Sequence, residues 1–272
     1  MKMMPLSLAV AATLLATSAS AQQYTVKMGA AYINPNATSN DLTGTMTLNI
    51  PNPANPTATL SVPNQTVTPG VQLEVQPQTA FIFTIARSFG DNWEGELMLG
   101  FPPVHEVKMR VNNPDVKAAV DQPLPSPSPD PRPFIRSAVY KHIASYDGEK
   151  VAKLKQFAPT AFINYRFGTP QSTWRPYVGV GVNFTHVKPE PTAAGEAFYN
   201  DGKVKTKVSD SWGLALQVGM NYHIDETWLI SASYATAQVA NNIKIQTASG
   251  ATQYGKYKFN PSIWMLTVGR KF

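Results

Sequence analysis

The segment from Trp212 to Ile224, WGLALQVGMNYHI, constrains the fold more than any other stretch of the chain. Its even positions are Trp212, Leu214, Leu216, Val218, Met220, Tyr222 and Ile224, all apolar or aromatic. Its odd positions, Gly213, Ala215, Gln217, Gly219, Asn221 and His223, are small or polar. A period of two places successive side chains on opposite faces of a β-strand. The sustained run, with aromatics near both ends, suits a membrane-crossing barrel strand of about 9 to 11 tilted residues, apolar toward lipid and polar or small toward the interior. A half-buried strand in a soluble sandwich also alternates, usually over a shorter run, so the companions of this segment decide.

Lys2, the apolar run from Leu6 to Ala16 and the small-x-small site Ala19-Ser20-Ala21 have the layout of a secretory signal peptide. Residues 1–21 are therefore expected to be removed and 22–272 to form one domain. No segment of that domain approaches the roughly 18 to 20 uninterrupted apolar residues of a membrane helix. The absence of cysteine is compatible with passage through an oxidising compartment. The net charge of +6 suits the phosphates of lipopolysaccharide or acidic polymers at an exported surface better than nucleic acid, or reflects solvated loops.

Alternation recurs along the chain. Strands are expected over Tyr24–Ile33, Thr79–Ser88, Trp93–Phe101, Phe157–Phe167, Arg175–Val187, Trp212–Ile224, Trp228 to about Ile245, and Tyr254–Phe272. Short turns near 89–92, 168–174 and 225–227 alternate with long loops near 34–76, 107–153, 188–209 and 247–253. The first long segment carries Pro51, Pro53, Pro56, Pro63 and Pro69 and reads as an exposed loop with at most a short hairpin. The second centres on DQPLPSPSPDPRP, a polyproline II or disordered composition, with a helical turn possible within 137–155. The expected fold is all-β: an eight-stranded antiparallel transmembrane barrel with short periplasmic turns and long extracellular loops. Trp93, Trp174 and Trp228 all sit beside short turns, as an aromatic girdle requires.

The segments MGAAYINP, PPVHEV, FAPTAFINYRFG, RPYVGVGVNFTH, DSWGLALQVGMNYHI and NPSIWMLTVGRKF, taken in order, resemble the OmpW-type outer-membrane proteins. The likeness covers most of the barrel but not the two proline-rich segments. It implies a monomeric barrel in the Gram-negative outer membrane, associated with passive uptake of small hydrophobic molecules and their sideways exit into the bilayer. Phe272 on an alternating strand also resembles the signal read by outer-membrane assembly machinery, although Arg270 stands where an aromatic is usual.

Parity assigns the lumen independently of the resemblance. Lys27, Glu94, Glu96, Arg166, His223 and Lys271 fall inside toward the short turns, where opposite charges should pair into a plug because unpaired buried charge is very costly. Higher up, Ile82, Met98, Phe162, Ile263 and Met265 turn inward and form an apolar funnel. Pro102, Pro103 and Pro159 lie on adjacent third and fourth strands, and proline cannot donate to a ladder, so a lateral gap is expected there. The charges chiefly suit barrel stabilisation, while the apolar residues equally suit plain packing and the prolines a strand bend or bulge. His105, His142, His186 and His223 form no metal or nucleophile-activating pattern, so neither enzyme activity nor a cofactor is expected. The alternative is a surface barrel that transports nothing, an adhesin, receptor or structural protein acting through its loops.

Overall fold

The computed structural model describes residues 24–52, 55–66, 70–112 and 132–272. The signal sequence expected over 1–21 and the proline-dense centre of the second insertion, residues 113–131, lie outside them. In chain order the strands are β1 (Tyr24–Asn34), β2 (Ala37–Thr38), β3 (Thr43–Asn52), β4 (Asn55–Thr66), β5 (Val71–Val75), β6 (Gln78–Phe89), β7 (Trp93–Gly100) and β8 (Val104–Val111). After helix α1 (Arg132–Ala144) come β9 (Lys150–Phe157), β10 (Thr160–Arg166) and β11 (Trp174–Pro191). After helix α2 (Ala193–Tyr199) come β12 (Lys205–Val208), β13 (Ser211–His223), β14 (Trp228–Ala237), β15 (Val239–Gln246), β16 (Thr252–Phe259) and β17 (Ser262–Lys271).

Eight of these strands close the expected antiparallel barrel. Pairing runs β10–β7–β6–β1–β17–β14–β13–β11, and β11 pairs back onto β10 from Thr160↔Asn183 to Arg166↔Tyr177. Inside and outside follow from the alternation. On β13, Leu214 and Leu216 are 65% and 56% exposed while Ala215 and Gln217 are 2% and 6% exposed. An apolar skin this extensive has no stable place in water and belongs against lipid. From Trp212 to Tyr222 the strand rises about 33 Å along its own axis, or about 25 Å across a bilayer at a tilt near 40°. Aromatic pairs mark both ends of that band. Trp93 meets Tyr165 and Trp174 meets Tyr222 beside the short turns, with ring centroids 5.1 and 4.6 Å apart. Phe184–Trp212 and Tyr234–Trp264 do so at the opposite end, at 4.8 and 4.9 Å.

The segments expected as long loops are largely folded. Beyond Thr185↔Ser211, β11 leaves β13 and its upper half pairs with β9, starting at His186↔Phe157. The sheet continues β9–β8–β5–β2. A second sheet, β12–β15–β16–β3–β4, faces it. The two sheets join where Asn40 N–H donates to Lys256 O (3.1 Å) and Lys256 N–H donates to Asn40 Oδ1 (2.6 Å). The result is an extension standing on the barrel, with Leu42, Met46, Leu48, Ile50, Val139, Ile143 and Phe198 in its core. Thr192 caps α2 by accepting from Gly195 N–H, and His142 Nε2 of α1 donates to Phe198 O at 2.8 Å.

Several sequence expectations change accordingly. The strand expected from Trp228 to Ile245 is two strands broken at Gln238, and the one expected from Tyr254 to Phe272 is two broken at Asn260-Pro261. The helical turn expected within 137–155 is part of α1, which starts five residues earlier and runs Arg132–Ala144. Of the prolines in the first segment, Pro56 and Pro63 stand on β4, at the edge of its sheet, where a missing donor is tolerated; Pro51 stands on β3, and Pro53 and Pro69 lie outside the described residues.

Candidate functional site

Near the short turns the lumen is crossed by a charged layer. Lys27 Nζ on β1 lies 2.8 Å from Glu96 Oε1 and 3.9 Å from Glu94 Oε1 on β7. Arg166 Nη1 on β10 lies 2.9 Å from Glu94 Oε2. Two carboxylates thus face two cations, each side chain nearly inaccessible to solvent. Remaining oxygen lone pairs are also used: Asn164 Nδ2 and Gln217 Nε2 donate to Glu96 Oε2 at 2.8 and 3.0 Å. Gln217 Nε2 also donates to Asn164 Oδ1 at 2.5 Å. Pairing of this density is the condition under which buried charge is tolerated, although Arg166 Nε is left without a partner. Room for the amides comes from Gly179, where a Cβ would sit 2.0 Å from Asn164 Oδ1.

The other two expected floor residues are elsewhere. The His223 ring Nδ1 donates to Ser172 O at 3.0 Å, at the turn end, and joins no carboxylate. Lys271 is half-buried beside Arg166 and Arg175 and lies within electrostatic reach of Glu94 and Asp225. Arg175, 3% exposed, donates through Nη2 to Asp91 O at 2.6 Å. Sequence reading left Arg175, Asn164 and Gln217 out of the floor, although parity already placed all three inward.

Above the floor the interior turns apolar. Ile82, Met98, Phe162 and Met265 form one buried cluster with Ala31, Ala215, Ala235 and Ala237, and Ile263 packs against it. A cavity of about 70 Å³ opens above this layer, lined by Ile82, Met98 and Ile263. Phe162 and Met265 pack beneath it and do not line it.

The seam between the third and fourth barrel strands is interrupted. The β7–β10 ladder stops at Met98↔Thr160, and pairing resumes only at Val104↔Lys155 between β8 and β9. One main-chain bond, Gln156 N–H to Pro103 O at 3.0 Å, closes the upper edge of the break. On their other sides both chains remain paired, Phe101 N–H to Phe81 O and Phe184 N–H to Pro159 O, each at 3.0 Å. Pro103 lines the cavity at the break, together with outward Leu99 and Phe101, while Pro102 and Pro159 flank it. One cavity therefore touches both lumen-facing and lipid-facing side chains. A second cavity, of about 80 Å³, lies inside the extension and shares Pro35, Gln156, Thr185 and Phe259 with the first. Among the described residues no group of His, Cys, Asp and Glu could hold a metal ion.

The OmpW family profile matches residues 135–272. Outer membrane protein W of Vibrio cholerae is 34% identical over 128 residues, covering 45% of this chain and 55% of that protein. Its namesake in Salmonella typhi is 36% identical over 129 residues, covering 45% and 56%. The chain thus spans about half the length of the curated relatives it matches. The crystal structure of outer membrane protein OprG from Pseudomonas aeruginosa is similar with a TM-score of 0.65 at 21% identity, covering 93% of this chain and 96% of that one. At that identity the likeness establishes the fold.

Proposed function

The chain belongs to the OmpW family of Gram-negative outer-membrane barrels, and on that footing we propose that it admits small hydrophobic molecules and releases them sideways into the bilayer. In this reading a ligand enters the extension, descends through the two adjoining cavities, rests on Ile82, Met98 and Ile263, and leaves between Leu99–Pro103 and Phe157–Pro159. The layer of Lys27, Glu94, Glu96 and Arg166 denies it a straight way to the periplasm, and ions with it. His223, Lys271 and Arg175 lie beneath that layer, at the short-turn end of the barrel. The observation that carries the proposal is the single cavity reaching from lumen-facing Met98 to lipid-facing Phe101 across the broken ladder. A surface barrel that transports nothing has no use for this continuity.

The test is uptake of a labelled hydrocarbon by vesicles containing the protein, with Pro102, Pro103 and Pro159 replaced by residues able to complete the ladder. Uptake should fall severalfold in the variant; unchanged uptake with a correctly folded barrel would sink the sideways route. Planar bilayers should show little stable conductance.

Partners follow from the surface. The apolar skin contacts outer-membrane lipid. On the extension, Lys155 lies directly opposite Lys188, and Lys207 opposite Lys244. Like charges at such positions repel unless an anion lies between them, and we assign that role to lipopolysaccharide phosphates. Phe272, exposed at the end of β17 with Arg270 over its ring, is offered to the assembly machinery. A single chain closes the barrel, which supports a monomeric functional unit.

A further inference from the structure

The cavity inside the extension has a feature that passage of a pure hydrocarbon does not call for. Its lining contains no Lys, Arg, Asp or Glu. It does contain two buried polar atoms without a hydrogen-bond partner, His105 Nε2 and the Tyr257 hydroxyl. His105 is 1% exposed, and its Nδ1 lies 2.9 Å from Gln76 O. A carbonyl can only accept, so the proton sits on Nδ1 and Nε2 is left as a lone-pair acceptor. Burial holds the ring below its ordinary pKa, which keeps it neutral. The Gln156 side chain acts on the ring electrostatically, but Nε2 has no hydrogen-bond partner. Tyr257 is 4% exposed and can donate or accept.

Other polar groups of the same cavity are satisfied within the protein. Tyr199 O–H donates to Gln253 Oε1, and Asn241 Nδ2 donates to Ser209 O at 2.6 Å. Buried polar atoms are nearly always paired, so two unpaired ones lining one apolar cavity, from β8 of one sheet and β16 of the other, are a specific offer. A water molecule could take up that offer; a guest with an apolar body and one hydroxyl would take it up and also cover the surrounding Val107, Met109 and Ile243. A carboxylate or ammonium would enter at the expense of its hydration with no opposite charge to meet it.

We propose that this cavity is a binding site for neutral amphiphiles, alcohols above all, whose apolar chain lies along the walls and whose hydroxyl hydrogen-bonds to His105 Nε2 or to the Tyr257 hydroxyl. The inference rests on the uptake reading and adds a ligand class to it. A cavity of about 80 Å³ accommodates a chain of roughly six to eight non-hydrogen atoms, counting each as a water-sized body.

The experiment uses the full mature chain in lipid nanodiscs, with methyl-labelled Met109, which lines the cavity, and nitrogen-labelled histidine. Hexanol, heptane and hexanoate are titrated and compared at equal thermodynamic activity, so partition into the lipid cancels. Hexanol should bind roughly three- to tenfold more tightly than heptane, the worth of about one net hydrogen bond, and should shift the His105 Nε2 resonance. Hexanoate should leave Met109 unmoved. Tyr257→Phe, which removes an oxygen that bonds to nothing in the protein, should narrow the hexanol advantage while heptane binding stays unchanged. Equal affinity for hexanol and heptane overturns the inference and leaves the uptake reading intact. So does a hexanol advantage indifferent to Tyr257→Phe with a static His105 resonance, which would mean that water occupies both polar atoms. Failure of heptane to move Met109 at all overturns the uptake reading itself.

Discussion

Replacing Glu96 by Gln removes the central carboxylate of the lumen floor while keeping its shape. At 2.8 Å the attraction between Lys27 and Glu96 is worth about 6 kcal/mol at an effective dielectric constant near 20. Part of this returns because a neutral amide is easier to bury than a carboxylate. Glu94, 3.9 Å from Lys27, also keeps some hold on the ammonium but is already engaged by Arg166. The net loss on breaking one partner of a buried pair is about 3–5 kcal/mol. With a urea slope of about 3 kcal/mol/M, the unfolding midpoint should fall by roughly 1 to 1.7 M. Tryptophan fluorescence in lipid vesicles follows the transition, since Trp93, Trp174 and Trp228 lie at the same end of the barrel. The double variant Lys27→Met with Glu96→Gln leaves the Glu94–Arg166 pair balanced and should be less destabilised than the sum of the single changes by roughly 1–3 kcal/mol. A midpoint for Glu96→Gln within about 0.3 M of the parent, or strict additivity in the double variant, would mean that the floor is hydrated and the reasoning from burial is wrong.

Gly179→Ala should destabilise the barrel by about 1–3 kcal/mol, because the new methyl group would meet the Asn164 oxygen at 2.0 Å; the same urea titration reads it, and Asn164→Ala in the same chain should recover part of the loss. Lys155→Gln with Lys188→Gln should weaken binding of the protein to lipopolysaccharide in a salt-dependent manner and, measured in neutral lipid, should raise the stability of the extension by relieving a direct cross-strand repulsion. Burial lowers the pKa of His142, whose ring packs against Phe198 and Tyr146, and of His105. A histidine held neutral by folding adds stability above its unfolded pKa of about 6.5 and loses it as pH falls below that value. Limited proteolysis of the extension should therefore accelerate between about pH 6.5 and pH 5, and His142→Gln, which can still donate to Phe198 O, should flatten that slope.

The barrel was legible because alternation is local. Each of β1, β6, β7, β11 and β13 carries enough apolar residues on one parity to announce itself, and the Trp residues beside short turns fix which end is which. The extension was not legible as structure, for a reason visible in β5, β8, β15 and β16. Val71–Val75, Val104–Val111, Val239–Gln246 and Thr252–Phe259 alternate too, but over lengths that merge with a neighbouring strand or hide between prolines. Their inward residues Leu73, Met109, Ile243 and Tyr257 gain a core only when distant segments meet. His105 illustrates the same limit. In the sequence it is a lone histidine after two prolines; only the fold puts its Nδ1 on Gln76 O and its Nε2 on an apolar cavity.

The sequence by itself determined which face of each strand is oily and which side chains point inward, because a two-residue period is a property of the backbone and needs no partner to be read. It also marked where ladder donors are missing, at Pro102, Pro103 and Pro159, because proline carries its missing N–H wherever it stands. Only the tertiary structure decided which inward charges touch. Glu96 holds Lys27 and not His223 or Lys271 because barrel closure sets the relative stagger of β1, β7 and β13, and stagger is settled by ladders between residues far apart in the chain.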